Sequence, residues 1–437
     1  MRHRFTAPNA SPPDTLSGMK TAWALWDCGS AAFNAVLVTF IFSVYLTDSV
    51  GANIDASQTP SFYYSIALAI AGVAIALVAP VMGQRADARG TRRKSLILWT
   101  LVTIGLMASL FLARNDAALW FWVGITIMAV ASITFEFAEV NYFAMLNQIS
   151  TPATVGRISG VGWALGYVGG IVVLLLCFIL FISGEGGAFG LPTEAGLNIR
   201  LVALFAAAWF LLAALPLFFK APPAPKTGEQ LSWAGSYKKL WATIRHLWIS
   251  DRNTAYFLIA SAVFRDGLAG VFTYGAILAV AVYGLDNSDV LLFGVAANVV
   301  AAAGAAAGGW LDDRIGPKPV IMGSLVAMIV VAGVLLFGEG PTIFWIFGLL
   351  LCLFVGPAQS ASRSFLARLT DEQHSGEIFG LYATTGRAVS WLAPLMFMIF
   401  TAIGGDRLGI VGIAVVLAAG AFLLVPVKQE KVSTASA

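Results

Sequence analysis

About twelve long apolar stretches restrict the folds open to this chain of 437 residues. Each is at least about 19 to 20 residues long, the length of a helix that crosses the hydrocarbon core of a bilayer. With 59% hydrophobic and only 11% charged residues, the chain would not stay dissolved in water with this surface exposed. The sequence therefore predicts an all-α integral membrane protein. The predicted spanning helices cover residues 22–47, 60–84, 93–114, 118–145, 156–183, 198–219, 254–283, 288–311, 319–338, 341–366, 376–402 and 408–427.

The lysines and arginines of the loops indicate the orientation. Nearly all of them fall on the side that holds both termini, and only Arg114, Arg200 and Arg407 fall in the opposite loops. Because basic loops stay in the cytoplasm, both termini are predicted to be cytoplasmic. The first twenty residues contain no apolar core before a cleavage site, so no removable signal peptide is expected. The short chain favours a bacterial inner membrane, and a net charge of +3 indicates no nucleic-acid partner.

One long polar segment divides the chain into two halves. Pro222, Pro223 and Pro225 end the sixth predicted helix and begin a stiff linker. Apolar residues then recur at helical spacing between Trp233 and Trp248, which predicts an amphipathic helix in the cytoplasmic interface. A ligand-binding domain is the alternative, but about thirty residues are too few to bury a core. The predicted parts are a cytoplasmic tail (1–21), an N-terminal six-helix bundle (22–220), the linker (221–252), a C-terminal six-helix bundle (253–427) and a second tail (428–437).

A short loop pattern occurs once in each half, after the second and after the eighth predicted helix. Its aspartate can cap a neighbouring helix and pair with a basic side chain, and its glycine permits a tight turn. The positive charge of Arg92, Arg93 and Lys94 is explained by topology alone. The matching Asp and Gly at equal offsets indicate parallel repeats about an axis along the membrane normal. The candidate latch residues are Gly83, Asp87 and Gly90 in the first half and Gly309, Asp313, Arg314 and Gly316 in the second.

These loops resemble the signature of the major facilitator superfamily. A narrower resemblance covers nearly the whole chain and is to the vacuolar amino-acid effluxer family linked to autophagy, which also has bacterial members. The resemblance implies two pseudo-symmetric halves of six helices and alternating access to a cavity lined by the first, fourth, seventh and tenth helices. It also implies that the loops form a latch that stabilises the outward-facing state. The segments that carry the narrower resemblance include Trp23–Asp27, Arg157–Tyr167, Gly356–Ser364 and Phe379–Tyr382.

Charged side chains inside the predicted helices are the candidates for solute and proton sites. An ionisable group at mid-bilayer costs about 2.5 to 3.5 kcal/mol on insertion scales, so it is retained where it has a partner or a use. At about 1.5 Å per residue, Arg265 and Asp266 lie about 18 Å into the seventh helix, and Arg387 lies about 17 Å into the eleventh. Glu136 and Glu139 are three apart on one face of the fourth helix. Their mutual repulsion predicts a protonatable site.

Two of the candidates have more than one interpretation. Asp266 is either one side of a static ion pair with a buried arginine or a solute or proton site. Asp27 is either a structural cap or a cavity residue, with Asn34 seven residues on and on the same face. Gln359 is predicted to reach the cavity from the tenth helix.

Three classes of function are open to a chain of this kind. A secondary transporter explains the duplication, the paired loops and the buried charges together. A membrane enzyme would need a catalytic motif, and the sequence has no His-Glu-x-x-His, Gly-x-Ser-x-Gly or Walker loop, so neither catalysis, nor a cofactor, nor ATP-driven transport is predicted. The three cysteines have no metal-binding spacing, so no metal site is predicted. A non-transporting sensor or scaffold on a carrier fold is the third class.

The resemblance implies that the solute is an amino acid or a similar zwitterion and that it is exported. Arg265 or Arg387 would then meet its carboxylate, and Asp266 or a glutamate would meet its amine. A drug or metabolite exporter of the same superfamily is the alternative. Protons are the hypothesised coupling ion, and the expected assembly is a monomer in the lipid bilayer.

Overall fold

A computed structural model describes residues 13–184, 186–224, 232–285 and 287–429. The outer parts of both predicted tails, part of the linker (225–231) and the acidic loop residues Glu185 and Asp286 lie outside the described residues. Within the described residues, twelve helices are long and apolar enough to cross a membrane, which confirms the predicted fold class. In chain order these spans are Ser17–Asn53, Pro60–Arg89, Arg92–Leu112, Ala118–Ile149, Val155–Ile182, Glu194–Lys220, Arg252–Ala281, Leu292–Ile315, Pro317–Phe337, Pro341–Leu369, Ser375–Gly404 and Asp406–Leu424.

The loops after the even-numbered spans and the linker lie at one end of the bundle, which we call the basic face. The other end, where the loops after the odd-numbered spans lie, is called the opposite face. Spans one to six form one half and spans seven to twelve form the other. The halves meet where the second span packs against the eleventh and the fifth packs against the eighth. The two contacts correspond to each other, because the second span is the counterpart of the eighth and the fifth is the counterpart of the eleventh, as expected for parallel repeats.

The first and the eleventh spans, which both contact the other half, are irregular. The first contains π-helical turns over Ala32–Phe40 and Tyr45–Val50. Such turns occur mostly as local bulges, frequently at functional sites. The eleventh is broken into Ser375–Val389 and Leu392–Gly404. Pro394 helps to end the first segment, because a proline within a helix lacks the N–H that would bond four residues back.

A helix over Trp233–Ser250 follows the linker and lies against the second span. The Ser232 hydroxyl accepts a hydrogen bond from the backbone N–H of Gly235, which caps the helix start. The Tyr237 hydroxyl donates to the carbonyl oxygen of Leu77 in the second span. The helix leaves a row of large apolar side chains exposed: Trp233, Tyr237, Trp241, Ile244, Trp248 and Ile249.

Candidate functional site: a charged cavity closed at the basic face

The first copy of the loop pattern joins the two halves. Asp87 is only 3% exposed. Its Oδ2 accepts a hydrogen bond at 3.1 Å from the backbone N–H of Glu377, at the start of the eleventh span. Its Oδ1 forms an ion pair with Arg92 Nη2 at 2.6 Å. The carboxylate therefore neutralises a buried guanidinium in its own half and caps a helix of the other.

The second copy repeats this arrangement with different partners. Asp313 accepts hydrogen bonds from the backbone N–H groups of Gly156 at 2.8 Å and Arg157 at 3.1 Å, at the start of the fifth span. It also pairs with the Arg157 Nε at 2.8 Å, although the Arg157 side chain is 56% exposed. Each aspartate thus caps the first turn of a span in the opposite half. The latch expected from the loop pattern therefore has a defined target on each side.

Glycines allow the backbones of the two halves to touch beside these caps. A Cβ at Gly83 would lie 1.9 Å from the carbonyl oxygen of Gly376, and a Cβ at Gly309 would lie 2.5 Å from that of Gly156. Both distances are far below van der Waals contact. A residue with a side chain at either position would force the halves apart at the basic face.

The other residues of the loop pattern act within their own half. Gly90 ends the second span with a φ of 63°, and Gly316 ends the eighth with a φ of 90°, conformations that glycine adopts without strain. Arg314 is exposed, and its guanidinium carbon lies 3.5 Å from the ring centroid of Trp310, one turn earlier on its own helix. The structure therefore does not bring Arg314 to the other half.

Deeper in the bundle, a third contact joins the halves. Arg363 of the tenth span is 1% exposed, and its Nη1 lies 3.2 Å from Asp27 Oδ2 of the first span. Its Nη2 and Nε donate to the carbonyl and hydroxyl oxygens of Ser159 at 2.7 and 3.0 Å. Asp27 therefore acts as the counter-ion of a residue from the other half rather than as a helix cap.

At mid-membrane, the two predicted glutamates have different environments. Glu136 forms an ion pair at 2.8 Å with Arg387 of the eleventh span. Glu139 is half-buried and has no hydrogen bond or ion pair within the described part of the chain. It lies within electrostatic reach of Glu136, Asp27, Arg265 and Arg387. Of the two glutamates, Glu139 is therefore the one without an ion-pair partner among the described residues.

Arg265 and Asp266 do not pair with each other, because they point to different parts of the broken eleventh span. The Arg265 Nη1 donates to the carbonyl oxygen of Tyr382 at 3.3 Å, and its guanidinium carbon lies 3.7 Å from the Tyr382 ring centroid. Asp266 Oδ2 accepts the backbone N–H of Ala393 at 2.6 Å. Within the described residues Asp266 forms no ion pair, so the ion-pair interpretation is wrong. The carboxylate instead caps the second segment of the eleventh span, Leu392–Gly404.

The two uncharged candidates are less informative. Asn34 is exposed and lies in a π-helical turn of the first span, where its carbonyl oxygen accepts from the Thr39 hydroxyl at 2.8 Å. Gln359 is half-buried on the tenth span, four residues before Arg363. Neither side chain has a hydrogen bond in the part of the chain that the structure describes.

Several residues at the basic face were not singled out by the sequence. Arg92 is fully buried and bonded to Asp87, so topology alone does not explain it. Asp312 is also fully buried, and it pairs with Arg368 and accepts from the Ser364 hydroxyl. The adjacent pair Asp312-Asp313 could have indicated a buried ion pair here, because two neighbouring carboxylates at a helix end need basic partners.

The loop before the eleventh span carries a histidine beside this gate. The His374 Nδ1 lies 2.9 Å from Asp371 Oδ1, and this hydrogen bond raises the pKa of His374 above its usual 6.5. The imidazole is therefore more protonated near neutral pH than a free histidine, which adds to the positive charge of the basic face.

The cavity between the halves opens towards the opposite face. The hydrogen bonds and ion pairs that join the halves extend from the basic face as far as the Arg387–Glu136 pair. Arg387 lies between the halves at mid-membrane, yet its side chain is 44% exposed. Because the basic end is closed below it, we infer from this exposure a cavity between the halves that opens towards the opposite face.

The fold and this closed gate define a membrane transporter of the major facilitator type. Among solved structures, the transporter FucP in its outward conformation is similar with a TM-score of 0.72 at 14% identity, covering 95% of this chain and 99% of that one. The proton:xylose symporter XylE is similar with a TM-score of 0.76 at 11% identity, covering 96% and 98%. At these identities the likeness shows the fold alone.

The sequence places the chain within this class. The family described as "Vacuole effluxer Atg22 like" matches residues 150–436, and the chain belongs to that family. A Bacillus subtilis (strain 168) protein described as an uncharacterized MFS-type transporter, YxiO, is 24% identical over 418 residues, covering 94% of this chain and 95% of its own. Autophagy-related protein 22 of Cryptococcus neoformans is 26% identical over 290 residues, which cover 60% of this chain and 51% of that protein.

Proposed function

We propose that this transporter exports a neutral amino acid or a similar zwitterion in exchange for protons. The direction follows the name of its family, which describes effluxers. The basic face would be cytoplasmic, because basic loops are retained on that side. A bacterial inner membrane is the proposed location, supported by the full-length similarity to the Bacillus subtilis protein. Alternation between the closed gate and its open counterpart would carry the solute across.

The observation that supports a zwitterion is the mixture of charges between the halves. Arg265 forms no ion pair within the described residues and donates one hydrogen bond, to a backbone carbonyl. Its remaining N–H groups suit the carboxylate of a solute, since a guanidinium can bind both carboxylate oxygens at once. Glu139 and Asp27 lie within electrostatic reach of one another and suit an ammonium group. An uncharged drug would leave Arg265 and Glu139 without a partner of opposite charge.

Glu139 is the proposed proton carrier. A carrier must lose its proton on one side of the membrane and regain it on the other. Glu136 is less suited to this role, because its carboxylate is already engaged in an ion pair with Arg387. Glu139 has no such partner and is half-buried beside the same arginine.

The test is transport by the purified full-length chain in proteoliposomes. In Glu139→Gln, accumulation driven by an imposed pH gradient should be lost, whereas counterflow of a labelled amino acid should remain. Counterflow needs binding and alternation but no net proton movement. Glu339→Gln is the matched control, because Glu339 is 84% exposed in a loop of the opposite face. Equal pH-driven accumulation by both variants would refute the proton role, and absence of amino-acid counterflow by the parent would refute the zwitterion.

A further inference from the structure

Arg363 is held in a cage that belongs entirely to the other half. Its guanidinium carbon lies 4.7 Å from the ring of Trp23, 5.1 Å from Phe143, 5.5 Å from Trp163 and 5.7 Å from Tyr142. All four rings lie on the first, fourth and fifth spans, whereas the arginine comes from the tenth. Aromatic rings arranged in this way bind cations, and they are the usual recognition element for ammonium groups.

Opening of the basic face must withdraw this arginine from its cage. Within the described residues, the hydrogen bonds of Arg363 to the opposite half go to Asp27 and Ser159, and its guanidinium also packs against the four rings. When the halves separate at the basic face, the cage and the Asp27 carboxylate lose their cation. A carboxylate that is 14% exposed is poorly stabilised without a counter-charge. Another cation that takes the place of Arg363 would therefore favour the open gate.

Asp27 and Trp163 are the partly exposed members of this site, whereas the Trp23 and Tyr142 rings are fully buried beneath them. Asp27 is on the first span and interacts electrostatically with Glu139, which is half-buried. The indole Nε1 of Trp163 is buried without a hydrogen-bond partner in the described residues. This donor could be met by an acceptor group of the solute. Arg363 satisfies the aromatic rings and the carboxylate but leaves that N–H unmet.

We propose that the cage and Asp27 form the subsite for the ammonium group of the solute, and that Arg363 occupies this subsite in the closed gate. The solute and Arg363 compete for one carboxylate, so solute binding releases one of the contacts that hold the basic face shut. This inference rests on the proposed function in one respect: it requires a solute with a cationic amine. It adds that the amine itself opens the gate.

The competition can be measured with methylammonium, the smallest probe that carries the relevant group. Spin labels at Lys94 and Ile315, exposed at the basic face of the two halves, would report the distance between the halves. The background would have Cys28, Cys177 and Cys352 replaced. Methylammonium should increase the population with the longer distance about tenfold, whereas sodium at equal ionic strength should not.

Variants separate competition from a general effect of salt. Asp27→Asn should lose the response to methylammonium. Arg363→Gln should populate the open gate without any added cation. Arg363→Lys keeps the charge but loses the planar fork, so it should respond at lower methylammonium concentrations than the parent, and it serves if the glutamine variant fails to fold. Arg114→Gln, at an exposed arginine of the opposite face, is the control and should behave as the parent.

Two results would overturn the inference. One is an equal response to methylammonium in the parent and in Asp27→Asn. The other is a gate that opens when the pH is lowered but not with methylammonium, which would assign the replacement cation to a proton. Neither result depends on amino-acid counterflow, so a failure of the proposed function and a failure of this subsite are distinguishable.

Discussion

Replacement of Asp313 by asparagine tests the gate most directly, because this side chain hydrogen-bonds to residues of the other half. In the closed gate the carboxylate accepts two backbone hydrogen bonds, from Gly156 and Arg157, and pairs with the Arg157 side chain. All three of these partners belong to the other half, so their loss weakens the closed gate. Within its own half, Asp313 also lies 3.5 Å from Arg368 Nη2, and this weaker contact is reduced in both gate states.

The size of the effect follows from these contacts. Hydrogen bonds to a charged group contribute about 1.5–3 kcal/mol, and those between neutral groups about 0.5–1.5 kcal/mol. Asparagine can keep one of the two backbone bonds in neutral form and loses the other. The exposed pair with Arg157 adds less than about 1 kcal/mol. The closed gate should therefore lose about 2.5–5 kcal/mol relative to the open one, a shift of roughly 60- to 4,000-fold in their ratio.

The measurement is the distance between spin labels at the basic face, or the reactivity of a cysteine placed within the gate. Asp313→Asn should show a much larger open population than the parent, with little change in the temperature of unfolding. The Arg314→Gln variant is the neighbouring control, since Arg314 stacks on Trp310 within its own half. An unchanged distance distribution in Asp313→Asn would refute the assignment of this residue to the gate.

Three further predictions concern topology, packing and the broken helix. A cysteine at exposed Ser57 should react with an impermeant thiol reagent on intact cells, whereas one at exposed Lys238 should react only after the membrane is opened; the reverse pattern would invert the orientation. Gly376→Ala should open the basic face, because its Cβ would lie 2.7 Å from the carbonyl oxygen of Gly83; an unaltered gate distance would contradict this. Asp266→Ala should reduce stability by about 0.5–2 kcal/mol through loss of the helix cap, seen as a lower unfolding temperature.

The spans were predictable, and the partners of the charged residues were not. Twelve apolar stretches determine twelve helices, because the bilayer leaves few alternatives for a backbone whose polar groups must be satisfied. The loop pattern indicated that Asp87 and Asp313 cap helices. Which helices they cap depends on how the two halves pack, and spacing along the chain carries no information about that.

The buried charges show the same boundary between sequence and packing. Neighbours in sequence, such as Arg265 and Asp266, point in different directions around a helix, so their adjacency did not make a pair. Asp266 instead meets a helix start created by a break in the eleventh span, which no hydrophobic pattern reveals. The Glu136–Arg387 pair joins residues 251 positions apart. Only the helix that each residue lies on was accessible from the sequence.

The two copies of the loop pattern are unequal, and a last prediction follows from the difference. Asp87 shares its carboxylate between the other half and Arg92, which is fully buried in its own half. In Asp87→Asn the guanidinium would be buried in the closed structure without a counter-charge, at a cost of about 3–5 kcal/mol. This variant should therefore unfold at a lower temperature than Asp313→Asn, whose exposed partner Arg157 can turn to water. In Asp87→Asn with Arg92→Gln the stability should recover while the gate stays open, because the charge is removed and the helix cap is not restored. Equal unfolding temperatures for the two aspartate variants would show that the Asp87–Arg92 pair contributes to the gate and not to the fold.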